Sequence, residues 1–166
     1  MTKENNSSTI PILRRATSDD GSAILRCLRA AFEPYRTQYT AAGYEDTILT
    51  AATVQQRIEN MIVIVACDES GLIVGTVGGT AAGQEGHIRG MAVAPSSQGG
   101  PVGDRLLEMI EQQLVAAGCS RVTLDTTAPL AKAMRFYERN GYVRTGRVSD
   151  FFGMPLYEYE KSLTSK

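Results

Sequence analysis

Val93-Ala94-Pro95-Ser96-Ser97-Gln98-Gly99-Gly100-Pro101-Val102-Gly103 reads as a strand end running into a glycine-rich turn. Directly after it, Leu106, Leu107, Ile110 and Leu114 recur at helical spacing. Glu108, Glu111, Gln112 and Gln113 fall on the other side and Gly118 supplies a stop, so the stretch predicts a turn opening a long amphipathic helix. Such a junction suits an anion. Glycines let the backbone approach a phosphate, and the unpaired N–H groups and dipole of the helix N-terminus attract it. No Lys-Ser or Lys-Thr pair follows the glycines, which excludes a Walker-type loop, and the dinucleotide spacing G-x-G-x-x-G is absent. Taken alone, the turn also admits a reading as a connector without a ligand, the lesser of the two.

Working outward, Met61–Cys67 is a β-branched run, Asp68–Gly71 is turn chemistry, and Leu72–Thr80 alternates apolar with small residues. A second turn at Gly83–Gly86 leads into His87–Val93, which predicts three consecutive antiparallel strands. Upstream, Ile10–Arg15 is a short strand. Ser18, Asp19 and Asp20 then offer capping chemistry to a helix carrying Ile24, Leu28, Ala31 and Phe32, which Pro34 ends. Tyr35–Thr47 shows little periodicity, and a short helix with Val54 and Ile58 on one face follows. Downstream, Arg121–Asp125 is a strand, and Pro129 opens a helix with Leu130, Ala133, Met134 and Tyr137 along one face, ended by Asn140-Gly141. Tyr142–Val148 and Leu156–Leu163 are final strands around a loop at Asp150–Pro155. The long helix connects two strands that can lie parallel, so the expected fold class is α/β (α+β): a mixed, mostly antiparallel sheet of about seven strands with helices on both faces.

With 166 residues, 43% apolar and 21% charged, the chain fits one globular domain, expected over residues 10–166 behind a polar, flexible tail at 1–9. The 17 basic and 18 acidic side chains nearly cancel, and no Lys/Arg run forms a nucleic-acid footprint, so no nucleic-acid partner is expected. The longest mainly apolar stretch, Met61–Ala66, is far short of the roughly 20 residues that cross a bilayer. Met1–Thr9 lacks the apolar region of a secretory signal, so no membrane association and a cytoplasmic location are expected. Cys27, Cys67 and Cys119 are far apart in apolar contexts and read as buried free thiols rather than a disulfide or a metal site; no metal is expected.

The flanks make the glycine turn specific. Gln98, Val102 and Gly103 match the acyl-CoA-binding pattern R/Q-x-x-G-x-G/A of the GNAT superfamily of N-acetyltransferases, and Met91-Ala92-Val93 resembles that family's central strand. About thirty residues on, Ala133-Met134-Arg135-Phe136-Tyr137-Glu138-Arg139-Asn140-Gly141-Tyr142 is similar to its second signature, A-x-x-ϕ-Y-x-x-x-G-F/Y. Ile12–Thr17 with Asp20 resembles the family's start, so the resemblance spans Ile10 to Leu163. It implies acetyl-CoA as co-substrate, held by Met91, Ala92, Val93, Gln98, Gly99, Gly100, Val102, Gly103 and Asp104. Two departures stand out. Pro101 replaces the middle glycine and removes one N–H donor, and Asp104 sits where relatives often carry a basic residue and would repel a pyrophosphate unless it points away. Leu130 replaces an Asn that in many relatives contacts CoA, so that contact is not carried over.

Transfer requires an amine, ordinarily protonated below about pH 10, to lose a proton, and the leaving thiolate to gain one. Tyr137 matches the tyrosine that protonates the CoA sulfur in the family, its alternative being a core aromatic. His87, the only histidine, stands where some protein-acetylating members carry a glutamate base, its alternative being a strand histidine exposed to solvent or satisfied by a neighbour; Glu85 is a second candidate and ordered water a third. The resemblance also places substrate recognition in Tyr35, Arg36, Tyr39 and Tyr44 and in the late loop with Phe152. The sequence thus points to an acetyl-CoA-dependent N-acetyltransferase acting by direct attack of a primary amine, small-molecule or protein, on the thioester. A non-catalytic acyl-CoA-binding or sensor module with the same fold is the alternative, and a homodimer is compatible with the resemblance.

Overall fold

Ile62–Cys67 (β2), Ile73–Ala82 (β3) and Glu85–Val93 (β4) form the antiparallel meander expected from their alternation and short turns. The computed structural model describes residues 10–163; the tail expected over residues 1–9 lies outside the described residues. With β1 (Ile12–Arg15), β5 (Arg121–Thr127), β6 (Val143–Phe151) and β7 (Met154–Ser162), the strands make one seven-stranded sheet in the order β1-β2-β3-β4-β5-β7-β6. Every pair is antiparallel except β4–β5. The parallel pair is joined by the long helix α4 (Val102–Ala116), as a parallel connection requires. Helices α1 (Gly21–Phe32), α2 (Ala41–Ile48) and α3 (Ala51–Asn60) precede β2, and α5 (Ala131–Arg139) connects β5 to β6.

Two apolar clusters cover the two faces of the sheet. Ile24, Leu28, Phe32 and Val54 pack with Val63 and Val65 on one face, while Leu106, Leu107, Ile110 and Leu114 pack with Ile64, Val77, Val122, Leu124 and Tyr137 on the other. The second face depends on glycine. Val102, Leu106, Ile110 and Leu114 form an i, i+4 ridge on α4 that lies over a row of strand glycines. A Cβ on Gly75 would stand 2.7 Å from Val102 and 2.8 Å from Leu106; on Gly79, 2.9 Å from Ile110; on Gly86, 3.0 Å from Leu114. The small residues noted in β3 are therefore what lets α4 sit close to the sheet. Cys27, Cys67 and Cys119 are buried free thiols, as their contexts predict.

Two segments differ from the sequence expectation. The aperiodic stretch after Pro34 is a 3-10 turn over Glu33–Gln38 followed by α2, whose cap is the Thr40 hydroxyl accepting from the Gly43 N–H at 3.2 Å. Only Gly43 and Tyr44 of α2 are buried, too few positions to leave a helical period. The expected loop at Asp150–Pro155 is a tight hairpin instead, with Phe152 (φ 49°) and Gly153 (φ 87°) as its two turn residues. Both positive φ values fit the turn that matches strand twist, and the strands run up to it. Among the described residues no helix is long and apolar enough to cross a membrane.

Candidate functional site

β4 and β5 pair only from Glu85↔Arg121 to Ile88↔Leu124. Beyond that point β4 continues alongside β3 and β5 alongside β7, so the two strands part in the middle of the sheet. A bulge marks the parting. The β3–β4 register shifts between Thr76 and Gly78, and Gly90 opposite it has φ 65°, a conformation that suits glycine. A cleft of about 840 Å³ opens between the strands, lined by Met91, Ala92 and Val93 on one side and Asp125, Thr126 and Thr127 on the other. Since β4 has no strand partner on this side after Ile88, its backbone can accept an extended chain as an added strand.

The glycine turn closes one end of the cleft. Gln98, Gly99, Gly100, Gly103 and Asp104 all line it. The N–H groups of Gly99, Gly100, Val102, Gly103 and Asp104 donate no hydrogen bond within the described residues, which leaves a cluster of donors at the start of α4. Pro101 is the residue before the helix, with φ −82°, and its carbonyl accepts from the Arg105 N–H at 3.0 Å. The proline thus costs one donor while leaving the helix start regular. Val102 turns its side chain into the core against Gly75, so any ligand contact from it is through its backbone. Gln98 is spent within the protein: its Nε2 donates to the Val93 carbonyl at 2.9 Å and ties the turn to the end of β4. Asp104 points away from the turn toward the end of α5, where Asn140 Nδ2 donates to it at 3.3 Å and Arg139 lies at 3.7 Å. Arg139, beside Asp104, and Lys132, at the other end of α5, also line the cleft and add positive charge. Gly103 meets the ring of Phe136, with a built Cβ 3.4 Å away, so the two sequence motifs touch in space.

Tyr137 is buried against Phe136 and Tyr142, and its ring lines the cleft. Burial pushes its phenol well above the ordinary range, so it holds its proton. Its hydroxyl has no hydrogen-bond partner among the described residues. Thr126, another cleft residue, is 3% exposed and its Oγ1 is a buried polar atom with no partner among the described residues. The open strand edge and the cluster of free amides together fit the amide-bearing arm and pyrophosphate of acetyl-CoA.

His87 lies on the paired part of β4, directly across from Thr123. Its Nδ1 is 2.8 Å from Thr123 Oγ1 and its Nε2 is 3.5 Å from Asp125 Oδ2, so two β5 side chains orient the ring. Burial lowers its pKa, opposed by the Asp125 charge, and burial raises that of Asp125. A neutral imidazole beside a carboxylate is a competent proton acceptor at neutral pH. Glu85 does not line the cleft; it is exposed and paired with Arg121 at 2.9 Å.

Residues 24–142, most of the chain, match the family model for the acetyltransferase (GNAT) family. The chain belongs to that family. Its fold matches PaiA N-acetyltransferase of Thermoplasma acidophilum, solved in complex with coenzyme A, with a TM-score of 0.77 over 92% of this chain and 99% of that one at 16% identity. YncA of Salmonella typhimurium, solved with acetyl-CoA, aligns with a TM-score of 0.72 at 18% identity over 95% and 96% of the two chains. An IAA acetyltransferase of Azospirillum brasilense is 35% identical over 74 residues, 45% of this chain; the aligned part is about half (48%) of that relative's length.

In this GNAT chain the far wall of the cleft comes from α1, the 3-10 turn after it and the β6–β7 hairpin. Phe32, Tyr35 and Tyr39 line it, as does Phe151. Phe152 occupies the hairpin tip, about half exposed and outside the cleft lining, with its carbonyl accepting from Thr40 Oγ1 at 2.8 Å. The neighbouring Phe151 lines the cleft in its place, with the Phe152 ring packed edge-on against it at 5.0 Å between centroids. Tyr44 is buried away from the cleft with its hydroxyl 3.1 Å from Glu33, and Arg36 packs over its ring. Asp46, Arg57 and Arg89 also line this end and were missed in the sequence, since nothing in their spacing announces that α2, α3 and β4 converge.

Proposed function

We propose that the protein transfers the acetyl group of acetyl-CoA to a primary amine by direct attack. The observation that carries this reading is the parting of β4 and β5, with an open strand edge leading to free amides at one end and a paired histidine at the other. The backbone amides of Gly99, Gly100, Val102, Gly103 and Asp104 hold the pyrophosphate, and the Met91–Val93 edge pairs with the arm and polarises the thioester carbonyl. His87, directed by Asp125 and Thr123, removes a proton from the bound amine, whose nitrogen bonds to the acetyl carbon. The carbon–sulfur bond breaks, Tyr137 donates its proton to the departing thiolate, and the second proton shed by the acylated nitrogen restores the phenol. Burial keeps the phenol protonated and the imidazole neutral, which sets both groups in the state their steps require.

Calorimetric titration with acetyl-CoA tests the first half of this proposal. Saturable binding that a pantetheine-free adenine nucleotide does not reproduce supports it; no binding at millimolar ligand overturns it. Pro101, which removes one amide donor, favours a second reading as an acyl-CoA-binding sensor. Amine-dependent release of free CoA thiol, lost in Tyr137→Phe while acetyl-CoA binding persists, selects the enzyme.

A further inference from the structure

Arg57 is a helix residue whose side chain leaves α3, crosses β3 at Gly78 with its Cδ 3.9 Å from a built Cβ, and brings its guanidinium over Gly90. A Cβ on Gly90 would collide with that guanidinium. The bulge glycine therefore leaves the space that the arginine head fills, at the point where β4 leaves β5 and the cleft begins. Having reached this place, the head finds no protein partner: among the described residues no carboxylate lies within 4.0 Å and no acceptor takes a hydrogen bond from it. Arg89, beside it on β4, also lines the cleft and likewise makes no ion pair among the described residues. Two unpaired guanidiniums side by side repel one another, and partial burial makes that repulsion harder for water to screen.

A planar guanidinium presents two parallel N–H donors that match a carboxylate. The cleft also carries Asp46 and Asp125, and His87 Nε2 lies 3.5 Å from Asp125 Oδ2. Groups of both signs in one apolar-walled space suit a ligand that itself carries both signs. We propose that the acceptor amine bears a carboxylate, as a free amino acid does, and that Arg57, supported by Arg89, binds that carboxylate while the amine faces His87. This inference rests on the acetyltransferase reading above. It separates a free amino acid from the N-terminus of a polypeptide, in which the corresponding carboxyl is an uncharged amide.

The test is a matched panel, with CoA-thiol release as the readout: L-phenylalanine, L-methionine and β-alanine, each against its carboxamide, plus the aminophosphonate analogue of phenylalanine. The expected result is a kcat/KM at least about tenfold higher for the carboxylates than for the carboxamides, falling to near parity in Arg57→Met and partly restored in Arg57→Lys. Loss of the preference should appear in KM for the amine while KM for acetyl-CoA stays put. Equal turnover of carboxylates and carboxamides, turnover of neutral amines alone, or a preference for the phosphonate overturns the inference while acetyl-CoA binding leaves the acetyltransferase reading standing. If acetyl-CoA does not bind, that reading fails first and this one with it.

Discussion

The two ends of the cleft are built from different material. At the α4 end the ligand-facing groups are main-chain amides, fixed by a glycine turn and by a helix seated on a glycine row. At the α1–α3 end they are side chains, Tyr35, Tyr39, Arg57, Arg89 and His87, delivered by elements distant in sequence. A backbone site is set by where glycines and a helix start fall, so one spacing specifies it. A side-chain site can change its chemistry one residue at a time without disturbing the fold, which suits the end that must distinguish acceptors. Apart from Tyr137, whose hydroxyl is assigned to the chemical step, substitutions at the first end should therefore act on acetyl-CoA or on stability, and those at the second on the amine.

The largest effect should come from the one side chain at the α4 end with a chemical task. Tyr137→Phe removes a hydroxyl without removing the ring that packs on Phe136 and Tyr142, so the fold and acetyl-CoA binding should persist. We expect kcat to fall about a hundredfold, the lower part of the range for losing a general acid. Its buried phenol also predicts no alkaline loss of rate near pH 10, since the folded pKa is raised above the ordinary value. An unchanged kcat would mean that water protonates the thiolate.

Gly75→Ala comes next and acts on stability. Its Cβ would stand 2.7 Å from Val102 and 2.8 Å from Leu106, and both contacts lie at the helix start that carries the free amides. Overpacking of this kind costs about 1–3 kcal/mol, and at roughly 2–4 °C per kcal/mol for a chain of this size a melting curve would resolve it. Acetyl-CoA affinity should fall with it if α4 shifts. A normal melting temperature would show that the ridge can slide without cost.

His87→Gln tests the acceptor end. Gln can keep the contact to Thr123 but cannot take a proton at neutral pH, so a roughly tenfold or greater loss of kcat is expected with KM for acetyl-CoA unchanged. The wild-type pH profile carries a sign. The His87 pKa is lowered, so its neutral form persists as pH falls, and the acid limb should lie below the ordinary value of about 6.5. Asp125 opposes that lowering, so Asp125→Asn should move the limb further toward acid. A wild-type limb above 6.5, or none, would remove His87 from the proton path.

The same contrast explains what was legible in the sequence. Val93–Gly103 and Ala133–Tyr142 are local patterns, and each became a structure of the expected kind: the meander, the turn, α4 and α5 all stand where periodicity and glycines put them. The contact between Gly103 and Phe136 even joins the two motifs. Asp104 was ambiguous because its effect depends on where it points, which Arg139 and Asn140 decide from another helix. Arg57 was illegible for a similar reason. On α3 it reads as an ordinary helix cation, and only the Gly90 bulge, thirty-three residues on, gives its head a place in the cleft. Phe152 was named from the resemblance of its loop, but Phe152 is itself a turn residue at the hairpin tip, and Phe151, the last residue of β6, is the one that lines the cleft.

The smallest expected effects separate shape from space within the backbone site itself. Gly103 is helical and would place a Cβ 3.4 Å from Phe136, an ordinary contact, so Gly103→Ala should change acetyl-CoA affinity by less than about twofold, with some helix stabilisation in compensation. Gly99 is the reverse case: nothing lies within 4 Å of its built Cβ, yet its φ of 81° is strained for any L side chain. That conformation costs about 1–2 kcal/mol for alanine, so Gly99→Ala should weaken acetyl-CoA binding several-fold as the turn relaxes and its amides diverge. Calorimetric titration of the two variants side by side measures the difference. If Gly103→Ala is the more damaging, close approach of the ligand rather than turn geometry sets the role of the glycines, and the view of this end as a fixed array of amides has to give way to one in which the helix start itself is in contact.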